Sequence, residues 1–190
     1  MTPGTSMWCS THWHVDRFWL LALGLLLSAT QALAHPQLPG SRLQGEATLR
    51  FFGLRVYHAR LWVLPDFEQA KAMEQPKVLE LEYLRDLQGQ AIAERSLKEM
   101  QRPGPLPEAQ AQRWLVEMQQ TFPDVRPGDR ISGLHLPGQG ARFWHNGRQT
   151  GQIDDPTFAR LFFGIWLAPS TSEPEMRQSL LGMTPGRSQR

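Results

Sequence analysis

The sequence predicts an α+β domain in which a layer of helices lies on one antiparallel sheet. Three observations predict it. Stretches with apolar residues at alternate positions are joined by short glycine-containing links, Phe52-Gly53 and Asn146-Gly147, which is how hairpins read. Stretches with apolar residues three and four apart follow Gly89, Pro107 and Asp155, which is how amphipathic helices read. The chain has 190 residues, 41% of them apolar, enough for one ample core.

The first 34 residues read as a cleaved export signal. Basic residues precede an apolar run from Phe18 to Ala29, and Ala32-Leu33-Ala34 supplies a small-x-small pattern before His35. The run falls short of the ~20 residues that span a bilayer, so the expectation is a mature domain of residues 35–190, periplasmic or secreted, with no integral membrane segment after processing. Met7 is an alternative start. Processing removes Cys9, the single cysteine, which leaves the mature chain without a disulfide, a thiolate metal site or a lipid-attachment position. The net charge of +2 is spread along the chain, which argues against nucleic acid as a partner.

Within the domain, Leu43 to Phe51 and Leu54 to Leu64 read as a hairpin. A two- or four-residue loop sets Arg50 opposite Arg55 and Thr48 opposite Tyr57, so that all four share a face. That face continues through Ala59, Leu61 and Val63, the other carries Leu49, Val56, His58, Arg60 and Trp62, and alternation does not say which is buried. A short amphipathic piece, Phe67 to Met73, leads to a strand over 78–85, in which Leu79, Leu81, Tyr83 and Arg85 share one face. An arginine thus continues an apolar face. It is placed either to anchor an anionic ligand or to pair with Glu94 or Asp86, or to reach solvent.

After Gly89 the period becomes helical, with Ile92, Ser96, Leu97 and Met100 on one side and Glu94, Arg95, Lys98 and Glu99 mostly on the other. The prolines of Arg102 to Pro107 end that helix, and a second runs from Glu108 to about Gln120 with Trp114, Leu115 and Met118 as its stripe. Ile131 to Leu136, Ala141 to His145 and Arg148 to Ile153 read as a three-stranded meander. Asp155 then caps a helix with Pro156 in its first turn and Phe158, Leu161, Phe162, Ile165 and Trp166 as apolar surface. A last short helix covers Glu173 to Leu181.

None of the standard catalytic or phosphate-binding motifs is present. His35, His58, His135 and His145 have no metal-ligand spacing. No catalytic residue, metal or cofactor is expected on these grounds.

Gly45 to Val63 (GEATLRFFGLRVYHARLWV), Tyr83 to Met100, and Phe122 to Gly182 resemble the exported bacterial branch of the chalcone isomerase-like proteins. The resemblance implies an open-faced β-sandwich, a curved antiparallel sheet covered by helices. It also implies one of two activities: flavonoid ring closure, or non-catalytic binding of fatty acids in a cleft between sheet and helices. Where the isomerases carry a threonine that helps polarise the substrate ketone and the binders a tyrosine, this chain has Tyr57. Arg50 is the nearest counterpart of an arginine shared by both branches, and the isomerases' catalytic tyrosine falls near Ile92. The resemblance therefore implies an apolar carboxylate ligand held by Arg50 and Tyr57, and the alternation of the 78–85 strand adds Tyr83 and Arg85 as candidates. A guanidinium offers a carboxylate a two-pronged donor and a phenol adds a third. An isomerase or lyase of an enone-like substrate, and an envelope interaction protein with a vestigial cleft, are the alternatives.

Overall fold

The computed structural model describes Met1 and residues 34–183; the expected export signal, apart from its first and last residues, lies outside the described residues. Six strands, β1 (Arg42–Phe51), β2 (Leu54–Val63), β3 (Lys77–Tyr83), β4 (Arg130–Leu136), β5 (Gly140–His145) and β6 (Arg148–Ile153), form one sheet in chain order. Every neighbouring pair is antiparallel. Helices α1 (Gly89–Met100) and α2 (Glu108–Thr121) occupy the β3–β4 connection, and α3 (Pro156–Leu167) and α4 (Pro174–Leu180) follow β6. The α+β class, an open curved sheet covered by helices, is therefore the one the sequence predicts.

The helices decide which sheet face is interior. Helix α3 packs on β4 and β5, α4 on β1 and β2, and α1 against α2 and α3. Beneath them Ala59, Leu61 and Val63 of β2 are buried, as are Leu79, Leu81 and Tyr83 of β3. Cross-strand pairing of Tyr57 with Tyr83, Ala59 with Leu81 and Leu61 with Leu79 puts them on a common face. The opposite face carries a charged ladder in which Arg60 reaches Glu80 and Glu82 at 3.1 and 3.0 Å and Arg130 reaches Glu82 at 2.9 Å. His35 lies against Trp62, with ring centroids 5.6 Å apart, and puts Nε2 3.4 Å from Glu80. The proline-rich lead-in thus covers part of the outer face.

Helix α3 is fastened as its sequence predicts. Asp155 accepts from the backbone amides of Thr157 and Phe158 through Oδ1, and from Arg113 and the indole of Trp114 through Oδ2. The α3 aromatics Phe158, Phe162, Phe163 and Trp166 then interlock with Phe122 and Phe143, mostly edge to face, the arrangement that aromatic quadrupoles favour.

Two sequence expectations need correction. The strand expected over 78–85 stops at Tyr83: after one last bond from the Leu84 amide to Val56 O, the chain bends at Leu84-Arg85 towards the Leu87–Val125 bridge that leads into α1. In the hairpin, the turn at Phe52-Gly53 does set Arg50 opposite Arg55, but Leu49, not Thr48, pairs with Tyr57, and Thr48 pairs with His58. Val56 is the extra residue of a β-bulge, and beyond a bulge the faces of the two strands exchange register.

Candidate functional site

A cavity of about 460 Å³ lies between the sheet and the helices at the open end of β2 and β3, within the size range of small-molecule sites. Leu49, Val56, Leu81, Ile131, Phe162 and Ile165 supply much of its apolar wall. The bulge shapes one side, because it lets both Val56 and Tyr57 line the cavity although they are adjacent in the chain.

The start of α1 forms the other side, and its approach depends on Gly89. A Cβ there would sit 2.1 Å from Phe122 O, so only glycine lets the helix begin this close to the end of α2, where Asp124 Oδ1 accepts from the Gly89 amide at 2.8 Å. From that start Ile92, Arg95, Ser96 and Glu99 follow at helical spacing along the cavity wall. Arg95 and Glu99, which the sequence pattern sets on the far side, belong to this wall.

Tyr57 accepts a hydrogen bond from Trp166 Nε1 at 2.9 Å. Its own proton is then available to a ligand, since among the described residues none accepts it. Burial pushes the phenol far above its usual range, against the opposing pull of the Trp166 bond. Tyr83, ring centroid 5.9 Å from that of Tyr57, is shifted the same way by burial and by Tyr57. Both are held as proton donors rather than phenolates.

Glu99 is buried and fully engaged. Arg95 Nη2 reaches its Oε1 at 2.8 Å, while Ser172 Oγ donates to Oε2 at 3.0 Å and Arg102 Nε lies 3.6 Å from it. The Arg95 guanidinium also lies 5.7 Å from the ring centre of Phe51, a cation–π distance. Arg85 lines the cavity from the bend after β3, and among the described residues no carboxylate is within ion-pairing distance of it.

Of the four residues predicted to meet a ligand, Tyr57, Tyr83 and Arg85 line the cavity and Arg50 does not. The bulge accounts for this: with Leu49 opposite Tyr57, alternation turns the next residue, Arg50, to the other face, where it is exposed. The cationic group that sequence reasoning missed is Arg95. Its signal was present, since Ile92, Arg95, Ser96 and Glu99 are three or four apart, but a stripe half polar and half apolar does not read as interior.

A second, shallower depression adjoins at Asp86, Asp124 and Asp129. There Asp124 and Asp129 already accept loop amides from Gly89 and Arg126. Among the described residues no group of three or more His, Cys, Asp or Glu side chains is placed to hold a metal ion, and no helix is long and apolar enough to cross a membrane.

A curved antiparallel sheet capped by helices, with a cavity between the layers, defines a small-molecule cradle of the chalcone isomerase type. Residues 30–182 match the family described as chalcone isomerase-like, and the chain belongs to that family. An uncharacterised protein of Haemophilus influenzae is 35% identical over 111 residues, which are 58% of this chain and 54% of that protein; the match spans about half the length of that curated relative. Among solved structures, an Arabidopsis thaliana fatty-acid binding protein superposes with a TM-score of 0.58 at 12% identity, over 78% of this chain and 95% of that one. At that identity the likeness is one of fold.

Proposed function

We propose that the protein is an exported, non-catalytic binder of a fatty acid or similar apolar carboxylate, held in the cavity between sheet and helices. The carrying observation is the composition of that cavity: an apolar interior, the Tyr57 hydroxyl fixed by Trp166, and the guanidinium groups of Arg85 and Arg95 on its wall. An acyl chain suits the first, and a carboxylate suits the other two. The fold shared with a fatty-acid binding protein supports the reading. Arg85 is the better anchor for the carboxylate, because Arg95 is already committed to Glu99. Removal of residues 1–34 belongs to the same proposal, and N-terminal sequencing of the exported product should begin at His35.

Native mass spectrometry of the protein after expression with its leader, followed by lipid extraction, tests the reading. A retained mass that matches fatty acids is expected. Protein that is consistently empty and ignores fatty acids of every chain length would refute it.

The isomerase reading finds less support. Tyr83, Ser96 and Ser172 do place hydroxyls beside Tyr57 on the cavity wall, yet the position that resembles the isomerases' tyrosine is Ile92, which has none. Both tyrosines are held protonated, so neither serves as a base. Ring closure of chalcone-type substrates would reverse this preference. The vestigial-cleft reading requires Phe162 and Trp166 to fill the space; they line it and leave about 460 Å³.

A further inference from the structure

The tip of the β1–β2 hairpin overhangs the sheet. Pairing of β2 with β3 begins at Tyr57, with one further bond from the Leu84 amide to Val56 O, so residues 50–55 project beyond it. The tip reads Arg50-Phe51-Phe52-Gly53-Leu54-Arg55. Phe51, Phe52 and Leu54 are 51, 90 and 54% exposed, and the two phenylalanine rings lie against each other with centroids 4.5 Å apart.

Three features of this tip oppose the stability of the folded chain. Large apolar side chains are left in water. Two arginines face each other across the strands, a pairing that repels. Phe52 adopts a positive φ of 48°, a region that bulky residues avoid. The other tight hairpin makes the comparison within the same molecule. Its turn, Asn146-Gly147, has φ of 49° and 82°, against 48° and 78° at Phe52-Gly53. The backbone is the same, and there it carries asparagine, the residue suited to it. Nothing in the turn calls for a phenylalanine at position 52.

We infer that this tip docks into an anionic lipid bilayer surface and holds the cavity mouth against it. An interface with an apolar interior and a negative headgroup layer relieves the first two costs, and it supplies the third with a reason, a phenylalanine held at the outermost point of the turn. Phe51, Phe52 and Leu54 enter the acyl boundary, while Arg50 and Arg55, one step behind them on each strand, reach the headgroups. The tip is continuous with the cavity: Phe51 and Val56 belong to its wall, and Arg95 lies over Phe51. Asp86 and Glu173 also line the cavity, but the tip from 50 to 55 carries only positive charge. Docking stands on the tip alone. Its use, to pass an acyl chain between bilayer and cavity without exposure to water, rests on the ligand reading above.

Co-sedimentation tests it, with phosphatidylcholine vesicles and with mixed phosphatidylcholine–phosphatidylglycerol vesicles. Wild type, Phe52→Asn and Arg50→Gln/Arg55→Gln are compared with identical N-termini, so that any contribution from residues 1–34 cancels. Wild type should sediment with the mixed vesicles and detach as salt rises. Phe52→Asn should lower partitioning on the order of tenfold, from the burial of one aromatic side chain, and the double arginine variant by about tenfold or more. Because Phe52 lies outside the cavity wall and asparagine suits its backbone, that variant should melt no lower than wild type, and higher by as much as the strain is relieved, and should keep its binding of a fluorescent fatty acid in the absence of vesicles. Wild type that ignores the mixed vesicles, or Phe52→Asn that sediments as well as wild type, overturns the inference. So does tip-dependent dimerisation without vesicle binding, which would assign the tip to a second copy of the chain. If vesicle binding follows the tip while no protein binds the fatty acid, the docking surface stands and the ligand reading falls.

Discussion

Lys77 is fully buried at the start of β3, on the interior face, with its Nζ 2.5 Å from His135 Nδ1 and 6.0 Å from the centre of the Phe163 ring. Its only hydrogen-bond partner among the described residues is thus an imidazole, which itself stacks on Phe163 at 4.9 Å. Burial brings the ammonium down from the ordinary 10.5 to about 7. Burial, and then Lys77, bring His135 from 6.5 to about 3. Between pH 7 and 10.5 the unfolded chain holds a proton on Lys77 that the folded chain does not, so stability rises with pH across this window. At up to 1.36 kcal/mol per pH unit, the gain from pH 7.5 to 9.5 is about 2–3 kcal/mol. For a domain of this size that is roughly 5–10 °C in melting temperature. Above pH 10 the sign reverses, because Tyr57 and Tyr83 keep protons that the unfolded chain releases. Urea denaturation of wild type and Lys77→Met at pH 7.5, 8.5 and 9.5 measures the slope. The variant also deprives His135 of its partner, but that cost is constant over the range and does not affect the slope. Lys77→Met should be flat from pH 7.5 to 9.5. A flat wild type, or a variant that keeps the slope, would refute the assignment of a neutral buried lysine. On the acid side His135 protonates first in the unfolded chain, so stability should fall as pH drops from 6.5 towards 3, and His135→Phe should lessen that fall.

Further expected outcomes follow from the cavity and its supports. Arg85→Ala should weaken fatty-acid binding by roughly 1 kcal/mol, because the exposed Arg85 meets the carboxylate at the cavity rim, where water screens the pair, whereas Arg50→Ala should stay within about 0.5 kcal/mol in titrations with the same ligand. Tyr57→Phe should cost about 1–3 kcal/mol of that affinity, because it removes the donor that faces the ligand, and it should also lower stability, because the Trp166 indole loses its acceptor; wild-type binding would move the site elsewhere. Gly89→Ala should destabilise by about 1–3 kcal/mol through overpacking against Phe122 O and loosen ligand binding as α1 shifts, both measurable in one urea and one titration series. Asp155→Ala should cost about 2–4 kcal/mol in urea denaturation, since it removes the α3 cap and leaves the partly buried Trp114 indole unpaired.

The elements of this protein were legible in its sequence because their signals are local. Alternation marks the strands, helical spacing marks α1 to α3, and Asp155-Pro156 marks a helix start by chemistry that operates within one turn of chain. The turns at Phe52-Gly53 and Asn146-Gly147 were legible for the same reason. Tyr57 was placed on a face with Ala59, Leu61 and Val63, and Tyr83 on a face with Leu79 and Leu81, because a straight strand carries its parity forward; that the two faces are one came from the β2–β3 pairing. What sequence could not supply was a parity broken in the middle of a strand. The extra residue at Val56 carries no residue-type signal of its own, since a valine suits a regular strand as well as a bulge, yet it turns Arg50 away from the cavity and brings Val56 in beside Tyr57. Sheet sidedness was undecided for a related reason: both faces of β2 carry apolar and charged residues, and only the helices packed on one of them make it the interior. The same holds for α1. Arg95 and Glu99 look like a solvent face along the chain and become cavity wall because Phe51 and Ser172, distant in sequence, close around them; that choice belongs to packing, which sums contacts between segments no local pattern connects.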